Sequence, residues 1–335
     1  MKPQLLNYKY IFLIGIILTL STCKVDEPIF VDCAPFYYPD GHLFDIETIT
    51  IPEGEKNFGY IRSNPNNSKE LIFYGKMGYP VEGIYKYNIE TFQSELVLEA
   101  YVSNQMDWGV TDWIVFASYN HIYKCKSNGD SLTRLTFTDR NFWPVWSSDG
   151  SQILYERWSD DGTEWIIMDD DGNYIEKPPL IMGDRVISWS PDGKKIIFFR
   201  ASESCGQGVE GLFYYDFDKN ETVEISKALD GICYPSDFID WYNDSNIILL
   251  SAGLYGGIYR TNIITMETEV IQEACSTNRY LSFTLMADNS TIIAVKKDVK
   301  QNPDLWYNTF EDIFELQIYP QMYYTTNRGF VLRLF

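Results

Sequence analysis

Residues 145–154 read Val-Trp-Ser-Ser-Asp-Gly-Ser-Gln-Ile-Leu, and residues 188–197 read Ser-Trp-Ser-Pro-Asp-Gly-Lys-Lys-Ile-Ile. In both, a short apolar-polar alternation ends at a tryptophan, turns over Asp-Gly and restarts as an apolar run, which is the pattern of a β-hairpin. The same hairpin twice predicts a repeat, and a repeat constrains the fold more than any single residue does.

Working outward, the repeat is indexed by the first isoleucine after each hairpin turn: Ile72, Ile114, Ile153, Ile196, Ile247 and Ile292, at steps of 42, 39, 43, 51 and 45 residues. A second β run follows each one, over Gly83–Tyr87, His121–Cys125, Trp165–Met168, Leu212–Tyr215, Gly257–Thr261 and Ile313–Ile318. A polar turn and a fourth run, such as Thr222–Ile225, complete the unit. Four strands in roughly 40 to 50 residues is the spacing of a propeller blade. The expectation is an all-β, six-bladed β-propeller with four antiparallel strands per blade, over residues 44–335. A further half-buried strand is expected over Phe44–Ile51, where apolar and polar residues alternate.

The composition agrees with a folded all-β chain. Of 335 residues, 45% are apolar and 22% charged, which leaves enough core material to exclude a disordered or fibrous class. Asp and Glu outnumber Lys and Arg by 47 to 27, so a general nucleic-acid binder is excluded, since that activity needs clustered cations.

The first residues are a separate object. Lys2 and Lys9 precede the 11-residue run Tyr10–Leu20, too short to span a bilayer as a helix, and Leu20-Ser21-Thr22-Cys23 follows. This ending resembles the bacterial lipobox, which implies a signal peptide over 1–22, acylation of Cys23 and attachment to the outer membrane through the lipid alone. Lys24-Val25-Asp26-Glu27 resembles the Lys-then-acidic signal of Bacteroidetes surface lipoproteins, which implies exposure at the cell surface. Residues 23–43 contain Pro28, Pro35 and Pro39 and read as a tether.

Beyond Cys23 there are Cys33, Cys125, Cys205, Cys233 and Cys275, an odd number, so at least one thiol stays unpaired. Cys205 and Cys233 are expected in loops on one face, where a disulfide between them is geometrically allowed. There is no Cys-x-x-Cys spacing, and His42 and His121 are the only histidines, so neither a metal site nor a cofactor is expected.

Three phrases carry a resemblance: Pro144-Val145-Trp146-Ser147-Ser148-Asp149-Gly150, Trp165-Ile166-Ile167-Met168-Asp169-Asp170-Asp171-Gly172, and Trp189-Ser190-Pro191-Asp192-Gly193. They resemble the Trp-Ser-Pro-Asp-Gly hairpin and the Met-Asp-x-Asp-Gly strand ending of the TolB-like six-bladed propellers. The resemblance covers roughly residues 60–335. It implies a ring around a central channel that serves chiefly to hold partners, and it carries no catalytic residue over.

Read as chemistry, Asp169-Asp170-Asp171 lacks the spaced ligands of a calcium loop and fits a polar turn better. Trp146 and Trp189 precede matched hairpins and fit packing between blades better than a sugar platform. The chain offers no Gly-x-Ser-x-Gly and no His-Glu-x-x-His, so a nucleophilic or zinc hydrolase is not expected. The turns joining first to second and third to fourth strands are short and polar. The opposite loops are expected to be longer and to carry aromatics with arginines, which interfaces concentrate. The candidate binding face is Trp158, Trp306, Tyr255, Arg157, Arg200 and Arg140, with the arginines forming a cationic spot. The reading is a non-catalytic envelope lipoprotein that binds a protein, a peptide or an acidic glycan. The alternatives are a surface glycan-binding protein and a polysaccharide lyase or glycoside hydrolase using carboxylates at the channel mouth.

Overall fold

Ile196, Ile197, Phe198 and Phe199 are consecutive and all fully buried. Side chains alternate across a strand, so such a run needs apolar cover on both sheet faces. Ile196 and Phe198 pack with Val145, Leu154 and Ile167, whereas Ile197 and Phe199 pack with Ile239, Trp241 and Ile248. The sheet is a blade wedged between two others.

The computed structural model describes residues 45–49, 58–75, 80–91, 93–201, 210–225, 235–242, 245–252, 257–272, 278–288, 291–298 and 327–333. Their strands form four-stranded antiparallel sheets radiating around an axis, a β-propeller. After β1 (Asp45–Ile49), five sheets are contiguous in sequence. The first is β2 (Phe58–Asn64), β3 (Asn67–Gly75), β4 (Gly83–Asn88) and β5 (Gln93–Glu99). The second is β6 (Met106–Trp108), β7 (Trp113–Ser118), β8 (His121–Lys126) and β9 (Thr133–Arg134). The third is β10 (Arg140–Trp146), β11 (Gln152–Ser159), β12 (Gly162–Asp169) and β13 (Tyr174–Glu176). The fourth is β14 (Arg185–Trp189), β15 (Lys195–Ala201), β16 (Glu210–Asp216) and β17 (Glu221–Glu224). The fifth is β18 (Pro235–Trp241), β19 (Ile247–Ala252), β20 (Gly257–Asn262) and β21 (Thr268–Gln272).

The expectation of four antiparallel strands per blade holds for those five, and the expected count of six blades needs correction to five of that kind. The remaining sheet is composite: β22 (Asn278–Leu285), β23 (Thr291–Asp298) and β24 (Asn327–Arg333) are joined on the outside by β1. The run expected over Ile313–Ile318 lies outside the described residues, and β24 takes the third position. The strand expected over Phe44–Ile51 exists as β1, but it pairs with β24 from Asp45↔Arg333 to Ile49↔Gly329. The innermost strands touch in succession, β2 on β6, β6 on β10, β10 on β14, β14 on β18, β18 on β22 and β22 on β2. All six indexing isoleucines fall in second strands.

The repeated phrase is a lock on the hairpin. Ser147 Oγ donates to Asp149 Oδ1 at 2.7 Å, Asp149 Oδ1 accepts from the Ser151 amide at 3.0 Å, and Ser147 Oγ accepts from the Gln152 amide at 2.9 Å. Ser190, Asp192, Lys194 and Lys195 repeat those three bonds at 2.6, 3.0 and 2.9 Å. Gly150 and Gly193 both sit at φ 70°, the left-handed region that disfavours a side chain. The turns also touch around the ring. Asn66 Nδ2 donates to the Val110 carbonyl at 2.8 Å, and the Asp192 amide donates to Ser245 Oγ at 3.0 Å. The tryptophans before the turns are interblade packing, as expected: Trp108 lies with Ile72 and Ile84 of the first blade, Trp146 with Val115 and Ile122 of the second, and Trp189 with Val145 and Leu154 of the third.

At the axis, the residue before the hairpin tryptophan, or its equivalent, ties one blade to the next. Asp107 Oδ2 accepts the Trp146 amide at 2.8 Å, Asp240 Oδ2 accepts the Leu285 amide at 2.9 Å, and Thr284 Oγ1 accepts the Ser63 amide at 3.2 Å. Thr284 Oγ1 also donates to Asp240 Oδ2 at 3.3 Å, and Asp240 Oδ1 accepts the Trp241 amide at 3.0 Å. Burial pushes the Asp240 carboxyl above the usual aspartate range, against the opposing pull of the Leu285 amide, Arg62, the Trp241 amide and Thr284.

Two outcomes are expected. A Gly150→Ala variant places its Cβ at a left-handed φ and 3.0 Å from Thr111, so it should lose about 1 to 2 kcal/mol of unfolding free energy in urea titration. Because the folded-state pKa of Asp240 is raised, its favourable contribution is complete below the usual aspartate range and is lost as pH rises through the raised value. The stability of wild type minus that of Asp240→Asn should therefore be largest in acid and shrink toward neutrality, read from urea midpoints over a pH series.

Candidate functional site

The matched inner-strand positions are Arg62, Asp107, Val145, Ser188, Asp240 and Thr284, one from each innermost strand. Arg62 Nε stands 3.7 Å from Asp107 Oδ1, with both side chains about one-fifth exposed. Arg62 also acts on Asp240, so one cation serves two carboxylates. Burial raises the Asp107 carboxyl as well, against the pull of Arg62 and of the Trp146 and Trp108 amides. Gln105 Nε2 reaches the Ile187 carbonyl at 3.4 Å, a link from the second blade to the fourth that skips the third. Asn104 Oδ1 accepts the Trp143 amide at 3.1 Å and the Gln105 amide at 2.7 Å. These groups hold the ring: each carboxylate accepts a backbone amide of the next blade, and each feels the charge of Arg62. Sequence reading passed over Asp107 and Asp240, although their place directly before Trp108 and Trp241 was a usable signal.

Three members of the candidate face lie together on the β10–β11 hairpin, where Arg140 pairs with Trp158 and Asn141 with Arg157. Trp158 is 41% exposed, meets Phe142 edge-on at 5.0 Å and has the Arg140 guanidinium 5.7 Å from its ring. The expected cationic spot needs correction. Arg157 is ion-paired with Glu164, which also binds Lys177. Arg200 makes a two-pronged bond to the fully buried Asp184, at 2.6 Å from both Nε and Nη2, with its guanidinium 5.0 Å and 5.6 Å from the rings of Phe198 and Phe213. Asp184 in turn accepts the Ile181 amide at 2.8 Å, so Arg200 serves to fasten the crossing from β13 to β14. A carboxylate 16 residues upstream in an irregular segment gave no sequence signal of this pairing.

Tyr255, Trp306, Cys205, Cys233 and Cys23 lie outside the described residues. The loops between second and third strands are also less uniform than expected. Only Asp160-Asp161 separates β11 from β12, and only Tyr119-Asn120 separates β7 from β8, whereas residues 202–209 separate β15 from β16. Cys125 is a free, buried thiol whose pKa burial pushes up to about 12, so it is poorly nucleophilic.

The Asp169-Asp170-Asp171 run is a turn. Asp169 Oδ1 accepts the Asp171 amide at 3.0 Å and the Asn173 amide at 2.8 Å. Lys124 from the second blade binds the Asp170 carbonyl and lies 3.5 Å and 3.7 Å from the Asp170 and Asp171 carboxylates. Among the described residues, no group of three His, Cys, Asp or Glu side chains is arranged to hold a metal ion.

No family model and no curated protein matches this sequence. Solved structures do match in shape. TolB from Acinetobacter baumannii aligns at TM-score 0.55 and 12% identity over 67% of this chain and 56% of its own. A putative TolB from Agrobacterium tumefaciens aligns at TM-score 0.53 and 16% identity over 63% of this chain and 76% of its own. A GH74 enzyme from Niastella koreensis aligns at TM-score 0.52 and 9% identity over 72% of this chain and 45% of its own. The chain thus matches a little over half the length of the Acinetobacter TolB, and at these identities the likeness is one of fold: a TolB-like β-propeller of four-stranded antiparallel blades.

Proposed function

We propose that this chain is a non-catalytic envelope lipoprotein whose TolB-like propeller is a protein-binding scaffold, with the composite sheet as its sixth blade and Cys23 as its lipid anchor on the outer membrane. The observation that carries the scaffold reading is the commitment of the axial carboxylates. Asp107 and Asp240 accept backbone amides of the following blades at 2.8 and 2.9 Å and share Arg62, so neither is available for acid-base work without loosening the ring. The feature put forward as the binding surface is the cluster of Arg140, Phe142 and Trp158 on the third blade, an aromatic-arginine combination suited to a protein or peptide surface. Tyr255 and Trp306 extend that face in this reading. Arg157 and Arg200 contribute through the carboxylates they hold in place.

Two measurements test it. The double variant Arg140→Ala/Trp158→Ala should retrieve less of the protein that wild type captures from envelope extract. A control pair on the opposite turns, Lys194→Ala/Asp218→Ala, should retrieve the same amount. The reverse pattern, with both variants folded by circular dichroism, overturns the assigned face, and turnover of a polysaccharide by the purified chain overturns the non-catalytic reading. Cys23→Ala should abolish acyl labelling and membrane retention, and a wild-type chain that takes up no acyl label overturns the anchor.

A further inference from the structure

The seam between the first and second blades opens into a cleft of about 430 Å³ at the end of the sheets where β7 turns into β8. Its wall includes Tyr101, Tyr119, Tyr123, Ser118, Glu82 and Glu99. The rings of Tyr101 and Tyr119 are 5.3 Å apart and tilted by 36°, packed on each other as an aromatic pair at one lip. Tyr74, outside the lining, donates its hydroxyl to Glu82. Among the described residues, none that lines the cleft is Lys, Arg or His. Arg134, whose backbone pairs with that of the lining residue Tyr123, bonds the Thr136 carbonyl at 2.7 Å and stands 5.1 Å from the Phe137 ring.

Tyr119 is an odd choice for its position. Tyr119 and Asn120 form the two-residue turn of the β7–β8 hairpin at φ 46° and 68°, both left-handed, a conformation that Asn and Gly adopt readily and a bulky ring does not. The ring does not repay that strain by burial, since Tyr119 is 72% exposed. A bulky side chain held in a disfavoured conformation and left in solvent beside a cleft is the kind of outlier that accompanies ligand sites.

We infer that this cleft binds a small organic ammonium group, held against the faces of Tyr101 and Tyr119 and neutralised by Glu82 and Glu99. Aromatic faces attract a cation through the ring quadrupole, and two carboxylates, with no basic residue among the described residues of the wall, repel anions such as acidic sugars. The group is shared by a lysine side chain and by a choline headgroup, and the site lies on the same propeller face as the protein-binding cluster proposed above, one seam away, with Asn141 of that cluster's hairpin bonding the Asn120 carbonyl at 2.9 Å.

Choline, Nα-acetyl-lysine amide and the uncharged choline isostere 3,3-dimethyl-1-butanol are titrated into the purified full chain, with tyrosine resonances read by NMR. Saturable shifts are expected with choline, with the lysine amide, or with both; binding of choline alone identifies a headgroup source, and of the lysine amide alone a peptide source. The neutral isostere should bind roughly two- to five-fold more weakly, the cation–π contribution at an exposed site. Glu82→Gln should weaken the bound cation to a similar degree. Tyr119→Gly should abolish the shifts with a melting temperature no lower than wild type, because glycine relieves the left-handed strain. Equal binding of the isostere, no saturation by either cation, or undiminished binding in Tyr119→Gly overturns the inference.

Discussion

A propeller has no hydrogen bonds running sheet to sheet through its blades, so the inner ring must be stitched by other means. Here the stitch is a side-chain oxygen on one innermost strand accepting a backbone amide on the next, as Asp107 does for Trp146, Asp240 for Leu285 and Thr284 for Ser63. Each bond is worth only about 0.5 to 1.5 kcal/mol net, but an orphaned amide at the axis costs about 1 to 3. The stitches therefore act mainly by penalising any blade that drifts out of place. Placing carboxylates in this role has a cost in desolvation, visible as the raised proton affinity of Asp107 and Asp240, and Arg62 offsets part of it.

Apolar burial does the rest, and it is organised by strand parity. Leu154 turns toward Ile196 and Phe198 of the following blade, while its neighbours Ile153 and Tyr155 turn toward Val115 and Ala117 of the preceding one. The second strands β11 and β15 are thus covered on both faces, which is why each carries a continuous apolar run and not an alternation. Trp146 reaches back over Gly109, where an added Cβ would stand 3.1 Å from the indole ring, so a glycine in one turn makes room for the tryptophan of the next.

What could be read from the sequence was what is local. The Ser-x-Asp-Gly lock spans six residues and is written out in full at Ser147–Gln152 and Ser190–Lys195, so the hairpins and their phase were legible. The exposed Arg140–Trp158 pair followed from that phase, because the hairpin register sets the two side by side. What depended on a partner far along the chain was not legible. Arg200 looked like a free surface cation until Asp184 was placed under it, and Arg157 until Glu164 was placed opposite. The cleft escaped notice because its two aromatic lips, Tyr101 and Tyr119, belong to a crossing and to a two-residue turn that periodicity does not mark.

The composite sheet sets an order of events for the ring's birth. Asp45 pairs with Arg333, and Ile49 with Gly329, so one of the earliest strands to be made must wait for one of the last. Each contiguous blade can form its own hairpins as soon as its residues exist, since their pairings are short in sequence. The outer edge of the last sheet has no such local partner. Until β24 is in hand, β22 and β23 present an unpaired strand edge of the kind that recruits other chains. A nascent chain of this protein is thus most prone to self-association in the interval between completion of its fifth blade and delivery of its final strand.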